Sequence, residues 1–98
     1  MTVYIGEIET FPSARADKAQ VLKILEECAE VYAAWEEFEN SANPYGVERD
    51  HLLAECADVA QALANLCAGL GVHNFTLYLE ECERRNRERG RYEQADKN

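Results

Sequence analysis

Apolar residues recur every three or four positions along two long stretches of this chain. Val21, Ile24, Leu25, Cys28, Val31, Tyr32, Trp35 and Phe38 make the first stripe, and Leu52, Leu53, Cys56, Val59, Ala60, Leu63, Leu66 and Cys67 the second. An α-helix turns once in about 3.6 residues, so this spacing gathers each stripe on one face and predicts two amphipathic helices. The first is expected from about Ala14 to Glu39, opening after Pro12 with Ser13 as its cap. The segment from Asn40 to Gly46, with Pro44 inside it, interrupts the pattern. The second helix is expected from about Val47 to Ala68, stopped by Gly69 and Gly71.

A shorter third helix follows, capped by Asn74, carrying Phe75, Leu77, Tyr78, Leu79 and Cys82 and closed by Gly90. Ahead of the helices, Met1 to Phe11 is too short and irregular for a regular element and reads as an arm laid over a groove. The fold class is therefore all-α: an antiparallel bundle of two long helices plus a shorter third. The organisation is an arm at 1–13, one helical domain at 14–92 and a polar tail at 93–98. Stripes this wide leave more apolar surface than so small a chain covers alone, so homo-oligomerisation, as a dimer or tetramer, is expected to complete the bundle.

Within the stripes lie two near-copies of one acidic motif. Leu25 to Val31 reads Leu-Glu-Glu-Cys-Ala-Glu-Val, and Leu53 to Val59 reads Leu-Ala-Glu-Cys-Ala-Asp-Val. Side chains three apart on a helix share a face, so Glu27 with Glu30, and Glu55 with Asp58, each present two carboxylates in one direction. Taken singly, a Glu-x-x-Glu motif is ordinarily a solvated face. Two copies on facing helices, bordering the apolar stripe around small Cys-Ala pairs, form an oxygen-lined pocket suited to Mg²⁺, with Mn²⁺ as a substitute. Carboxylates near a helix seam are costly unless a cation neutralises them.

Charge narrows the partners. The 98 residues carry a formal net charge of −9, which argues against nucleic acid and anionic membranes as partners, since both attract basic patches. Metal ions at clustered carboxylates reverse the local sign, so a polyphosphate ligand stays compatible. The absence of a basic leader and of a membrane-length apolar run points to the cytoplasm. Cys28, Cys56, Cys67 and Cys82 form no Cys-x-x-Cys pair and are expected to be small, buried, reduced thiols.

The acidic motifs give the chain a family likeness. Glu27-x-x-Glu30, an intervening segment, and Glu55-x-x-Asp58 resemble the signature of the all-α nucleoside triphosphate pyrophosphohydrolases, which include MazG-like proteins, dimeric dUTPases and phosphoribosyl-ATP pyrophosphohydrolases. The resemblance spans about Gln20 to Tyr92, with a similar lead-in at Gln20 to Glu27 and a closing Asn and Arg-Gly segment at Arg85 to Tyr92. It implies that Glu27, Glu30, Glu55 and Asp58 bind Mg²⁺ and carry catalysis. The implied substrate is a nucleoside triphosphate, cleaved between the α- and β-phosphates to a monophosphate and pyrophosphate. Asn86, Arg89 and Arg85, together with Lys23, are implied as substrate-binding residues. Many relatives have a lysine in the third helix where this chain has Arg84 and Arg85. An arginine fork also grips phosphate, although arginines there equally complement a helix C-terminus.

Asn65 lies seven residues after Asp58 and His51 seven before it, so both project from the acidic face. Asn65 is the stronger substrate-binding candidate, because an asparagine in mid-helix has no local structural reason to be there. His51 is ordinarily a surface group at such a position, and Trp35 and Tyr32 are packing residues by their spacing. Two rival readings accompany the leading one. The same four acids would serve a phosphoribosyl-ATP pyrophosphohydrolase, and a non-catalytic helical interaction or metal-binding protein would carry the same stripes.

Overall fold

The computed structural model describes residues 1–93. They contain three α-helices and no strand: α1 (Lys18–Glu39), α2 (Val47–Gly69) and α3 (Thr76–Glu88). The all-α class expected from the stripes is what the chain adopts. Residues 94–98, nearly all of the expected polar tail, lie outside the described residues.

The first helix starts four residues later than its periodicity suggested. Asp17, not Ser13, is the cap, and its Oδ1 accepts the Gln20 N–H at 2.8 Å. The preceding residues are used elsewhere. Ala14 N–H closes a turn onto the Phe11 carbonyl at 3.0 Å, and Arg15 and Ala16 pass over the end of α2. The second helix runs one residue past Ala68, and Leu70 and Gly71 N–H groups then close its last carbonyls. At α3, Asn74 Oδ1 accepts the Thr76 N–H at 3.0 Å, and Gly90 leaves the helix in the left-handed region at φ 72°.

α1 packs on α2 along a narrow seam. In α1 the covered positions are Gln20, Ile24, Glu27, Val31, Ala34 and Phe38, alternating steps of four and three. Leu52, Glu55, Val59, Ala62 and Leu66 make the matching line on α2. This is the spacing of a coiled-coil seam. Gln20 at one end donates to the Ala62 carbonyl at 3.0 Å, and Glu37 at the other meets His51 at 3.2 Å.

The sequence stripes were broader than this seam. Val21, Leu25, Tyr32 and Trp35 on α1, with Leu53 and Leu63 on α2, keep 44–65% of their surface exposed. Only Ala34 and Ala62 are buried apolar residues among those described. The thiol expectation changes for the same reason. All four cysteines are free; Cys28 and Cys56 are exposed because one helix pair covers one side of each stripe, and Cys82 because α3 packs on neither long helix among the described residues.

The first residues form an arm along α2. Gln61 Nε2 donates to the Glu9 carbonyl at 3.0 Å, Asn65 Oδ1 accepts the Phe11 N–H at 3.0 Å, and Gly69 lies under Arg15 and Ala16. These anchors are four residues apart, so they share one row of the helix surface. A Cβ at Gly69 would stand 2.3 Å from Ala16 N and Arg15 C, closer than any side chain permits. α3 makes no contact with α1 or α2 among the described residues. The radius of gyration is accordingly 16.4 Å, against about 13 Å for a compact chain of this length. No helix of the described residues is long and apolar enough to cross a membrane.

Candidate functional site

The heptad spacing of the seam puts Glu27 and Glu55 between the helices. Their side chains keep only 15% and 18% of their exposure, although leucine is the usual occupant of such positions. Asp58 follows Glu55 by three residues, so it lies on the same side of α2 while staying exposed. Oxygens of Glu27, Glu55 and Asp58 all come within 4.8 Å of one another. Three of the four acids singled out in the sequence thus converge. Glu30 is exposed and stands outside that trio, because the next seam position on α1 after Glu27 is Val31.

The donor set fits a hard divalent cation. Carboxylate oxygens suit Mg²⁺ and Mn²⁺.

Each seam acid has a basic side chain one turn away. Lys23 Nζ lies 3.0 Å from Glu27 Oε1, and His51 Nε2 lies 3.0 Å from Glu55 Oε1. The other ring nitrogen of His51 faces Glu37 Oε2 at 3.2 Å. An imidazole between two carboxylates donates to both only when protonated, so the bond to Glu37, followed by that to Glu55, raises its pKa. The bond to Glu27 raises Lys23 in the same way.

Beside the acids opens a pocket of about 270 Å³, bounded by Phe11, Lys23, Glu27, Asp58, Ala62 and Asn65 together with Gln20 and Gln61. Lys23 and Asn65, both singled out in the sequence, therefore line the space next to the acids. Asn65 has a structural task as well. It is 4% exposed, and its Oδ1 takes N–H groups from both Phe11 and Gln61. That supplies the structural reason its place in mid-helix lacked.

The remaining candidates lie apart from the acids. Arg85, Asn86 and Arg89 are on or just after α3, which touches neither long helix. Asn86 accepts from Arg91 at 3.3 Å, and Arg85 reaches Glu81 at 3.8 Å. Arg84 is held between Glu81 and Glu88, and Arg87 lies 4.8 Å over the Tyr92 ring. Trp35 packs on Phe38 with ring centroids 5.4 Å apart, away from the pocket.

Phe11 and Gln61 were missed by sequence reasoning. A signal for Gln61 existed, since two amides four residues apart, Gln61 and Asn65, stand inside an otherwise apolar and small-residue stretch of α2. Nothing in the arm's sequence tied Phe11 to residues 54 positions away. No family model, curated protein or solved structure matches the chain.

Proposed function

We infer that the protein is a magnesium-dependent nucleoside triphosphate pyrophosphohydrolase, cleaving between the α- and β-phosphates to give a nucleoside monophosphate and pyrophosphate. The observation that carries this reading is the placement of Glu27 and Glu55 on the helix seam, with Asp58 inside the same 4.8 Å envelope. Acids between packed helices carry a desolvation cost, which a bound cation relieves. Mg²⁺, or Mn²⁺ in its place, would be held by these three acids and supplies the positive charge that lets an acidic protein take a polyphosphate. Glu30, exposed and one turn along α1 from Glu27, completes the set of four acids in this reading, one of which takes the proton of the attacking water. Lys23 stands at the pocket edge for a phosphate oxygen. A cytoplasmic nucleotide pool is where such a substrate is met.

The active unit is a homo-oligomer in this reading. The meeting of Gln20 with Ala62 and of Glu37 with His51 supports an antiparallel hairpin. Beside the used seam, each long helix carries a second line at heptad steps: Val21, Leu25, Cys28, Tyr32, Trp35 on α1 and Leu53, Cys56, Ala60, Leu63, Cys67 on α2. Two hairpins joined on those lines make a four-helix bundle. Across such an interface, α3 of one copy would carry Arg85, Asn86 and Arg89 toward the acids of the other. Phosphoribosyl-ATP, itself a nucleotide with a phosphoanhydride, is the alternative substrate for the same acids.

One observation favours a non-catalytic reading. Lys23 and His51 already pair with the two seam acids, so the cluster is partly satisfied without a metal. Pyrophosphate release decides between them. Ribo- and deoxyribonucleoside triphosphates and phosphoribosyl-ATP are incubated with and without Mg²⁺, using wild type, Glu55→Gln and Glu30→Gln. The enzyme reading expects magnesium-dependent release lost in both variants, while no release from any nucleotide would leave the binding role.

A further inference from the structure

The acidic pocket has one aromatic wall, and the chain fixes that wall in place. Phe11 borders the same space as Lys23, Glu27, Asp58 and Asn65, with 56% of its surface exposed. Its backbone is held on both sides. The N–H is bonded to Asn65 Oδ1 at 3.0 Å, and the carbonyl accepts the Ala14 N–H at 3.0 Å across a turn that contains Pro12. Gln61 braces the arm and Asn65 together, donating to the Glu9 carbonyl at 3.0 Å and to Asn65 Oδ1 at 3.1 Å. An exposed aromatic ring normally gains by burial. Here the backbone holds the ring beside a polar cavity rather than under the arm.

The amide of Asn65 adds a second pointer. Phe11 N–H and Gln61 Nε2 both need an acceptor, which fixes the Asn65 oxygen toward them and leaves Nδ2 as the other end. That nitrogen has no hydrogen bond among the described residues, although Asn65 is 4% exposed and lines the pocket. A donor left free on a residue that lines the pocket, beside an aromatic side chain, is the equipment for a planar ring bearing an acceptor.

We propose that Phe11 and Asn65 form the base subsite of the pocket, with Phe11 stacking on the nucleobase and Asn65 Nδ2 donating to an acceptor on the ring edge. This rests on the polyphosphate reading of Glu27, Glu55 and Asp58, and it names what distinguishes a nucleotide from a bare polyphosphate there. Phe11 is a specificity residue that reaches the site only while the arm is docked on α2.

The test separates the ring from the phosphates. Affinities for non-hydrolysable α,β-methylene nucleoside triphosphates carrying each of the common bases, and for inorganic tripolyphosphate, are measured by calorimetry in Mg²⁺ with wild type, Phe11→Leu and Phe11→Tyr. Stacking of one base is worth about tenfold in affinity. Wild type should prefer at least one nucleotide over tripolyphosphate by about that factor, Phe11→Tyr should keep the preference, and Phe11→Leu should lose it with tripolyphosphate affinity unchanged. Leucine retains the backbone N–H bond and apolar bulk, and equal thermal unfolding of the two variants checks that the arm stays docked. A preference unchanged in Phe11→Leu overturns the subsite and leaves the polyphosphate site standing. Wild type that binds tripolyphosphate and nucleotides equally also overturns it, and wild type that binds neither removes the polyphosphate reading with it.

Discussion

Asn65 does two jobs, its amide oxygen holding the arm while the residue lines the pocket. Asn65→Ala leaves the Phe11 N–H without its acceptor, and losing such a partner costs about 1–3 kcal/mol. Urea unfolding should show that loss, and the Phe11 amide should exchange with solvent faster. An unchanged midpoint would mean that the arm contributes no stability. His51 makes a pH-dependent contribution. Its folded pKa is raised above the usual value of about 6.5 by Glu37 and then Glu55. The stabilisation is therefore complete below that value and disappears as pH rises through the higher folded pKa. With EDTA present, His51→Gln should melt below wild type at pH 5.5 and level with it at pH 8.5. An equal gap at both values would sink the assignment. At this scale the sequence exposed the chemistry but not the partners. It marked Glu27, Glu55 and Asp58 by spacing and Asn65 by its misplacement in a helix, because those signals are local. Phe11 became a neighbour of Asn65 only through a bond spanning 54 residues.

α2 divides its surface among different neighbours. One line faces α1, another carries the arm at Gln61, Asn65 and Gly69, and a third keeps Leu53 and Leu63 about half exposed. The hydrophobic pattern predicted the helices well, since period 3.6 is a property of the element itself. It merged the lines into one stripe because apolar residues occupy two of them, and it missed the arm's row because Gln, Asn and Gly carry no apolar signal. It also opened α1 at Ala14, where the backbone is committed to crossing Gly69. Gly69→Ala tests that crossing. Helix propensity alone favours alanine by about 1 kcal/mol, but the added carbon meets backbone atoms at 2.3 Å, and backbone cannot swing aside as a side chain does. The expected outcome is a net loss on the order of 1–3 kcal/mol, with limited proteolysis before residue 17 accelerated. A stabilised variant would show that the arm shifts freely.

The whole molecule is elongated at 47 × 36 × 22 Å, with α3 standing clear and most large apolar side chains on the outside. Sedimentation at micromolar concentration should return a multiple of the 11.1 kDa chain mass. The fluorescence of Trp35, which lies on the uncovered line of α1, should shift red on dilution as it meets water. A monomer at all concentrations would remove the four-helix bundle and the route by which α3 reaches the acids. How such an assembly would form is not legible in the sequence, since a stripe records how much surface needs covering and not which neighbour covers it. The arm's anchorage also sets an order of events in folding. Glu9 waits for Gln61 and Phe11 for Asn65, separations of 52 and 54 residues, whereas a short loop joins α1 to α2. Distant pairings form late because loop closure must come first. The arm is therefore expected to dock onto a helix pair already made, after the main barrier. Asn65→Ala should speed unfolding and leave the refolding rate nearly untouched, so the pocket acquires its aromatic wall as the last act of folding.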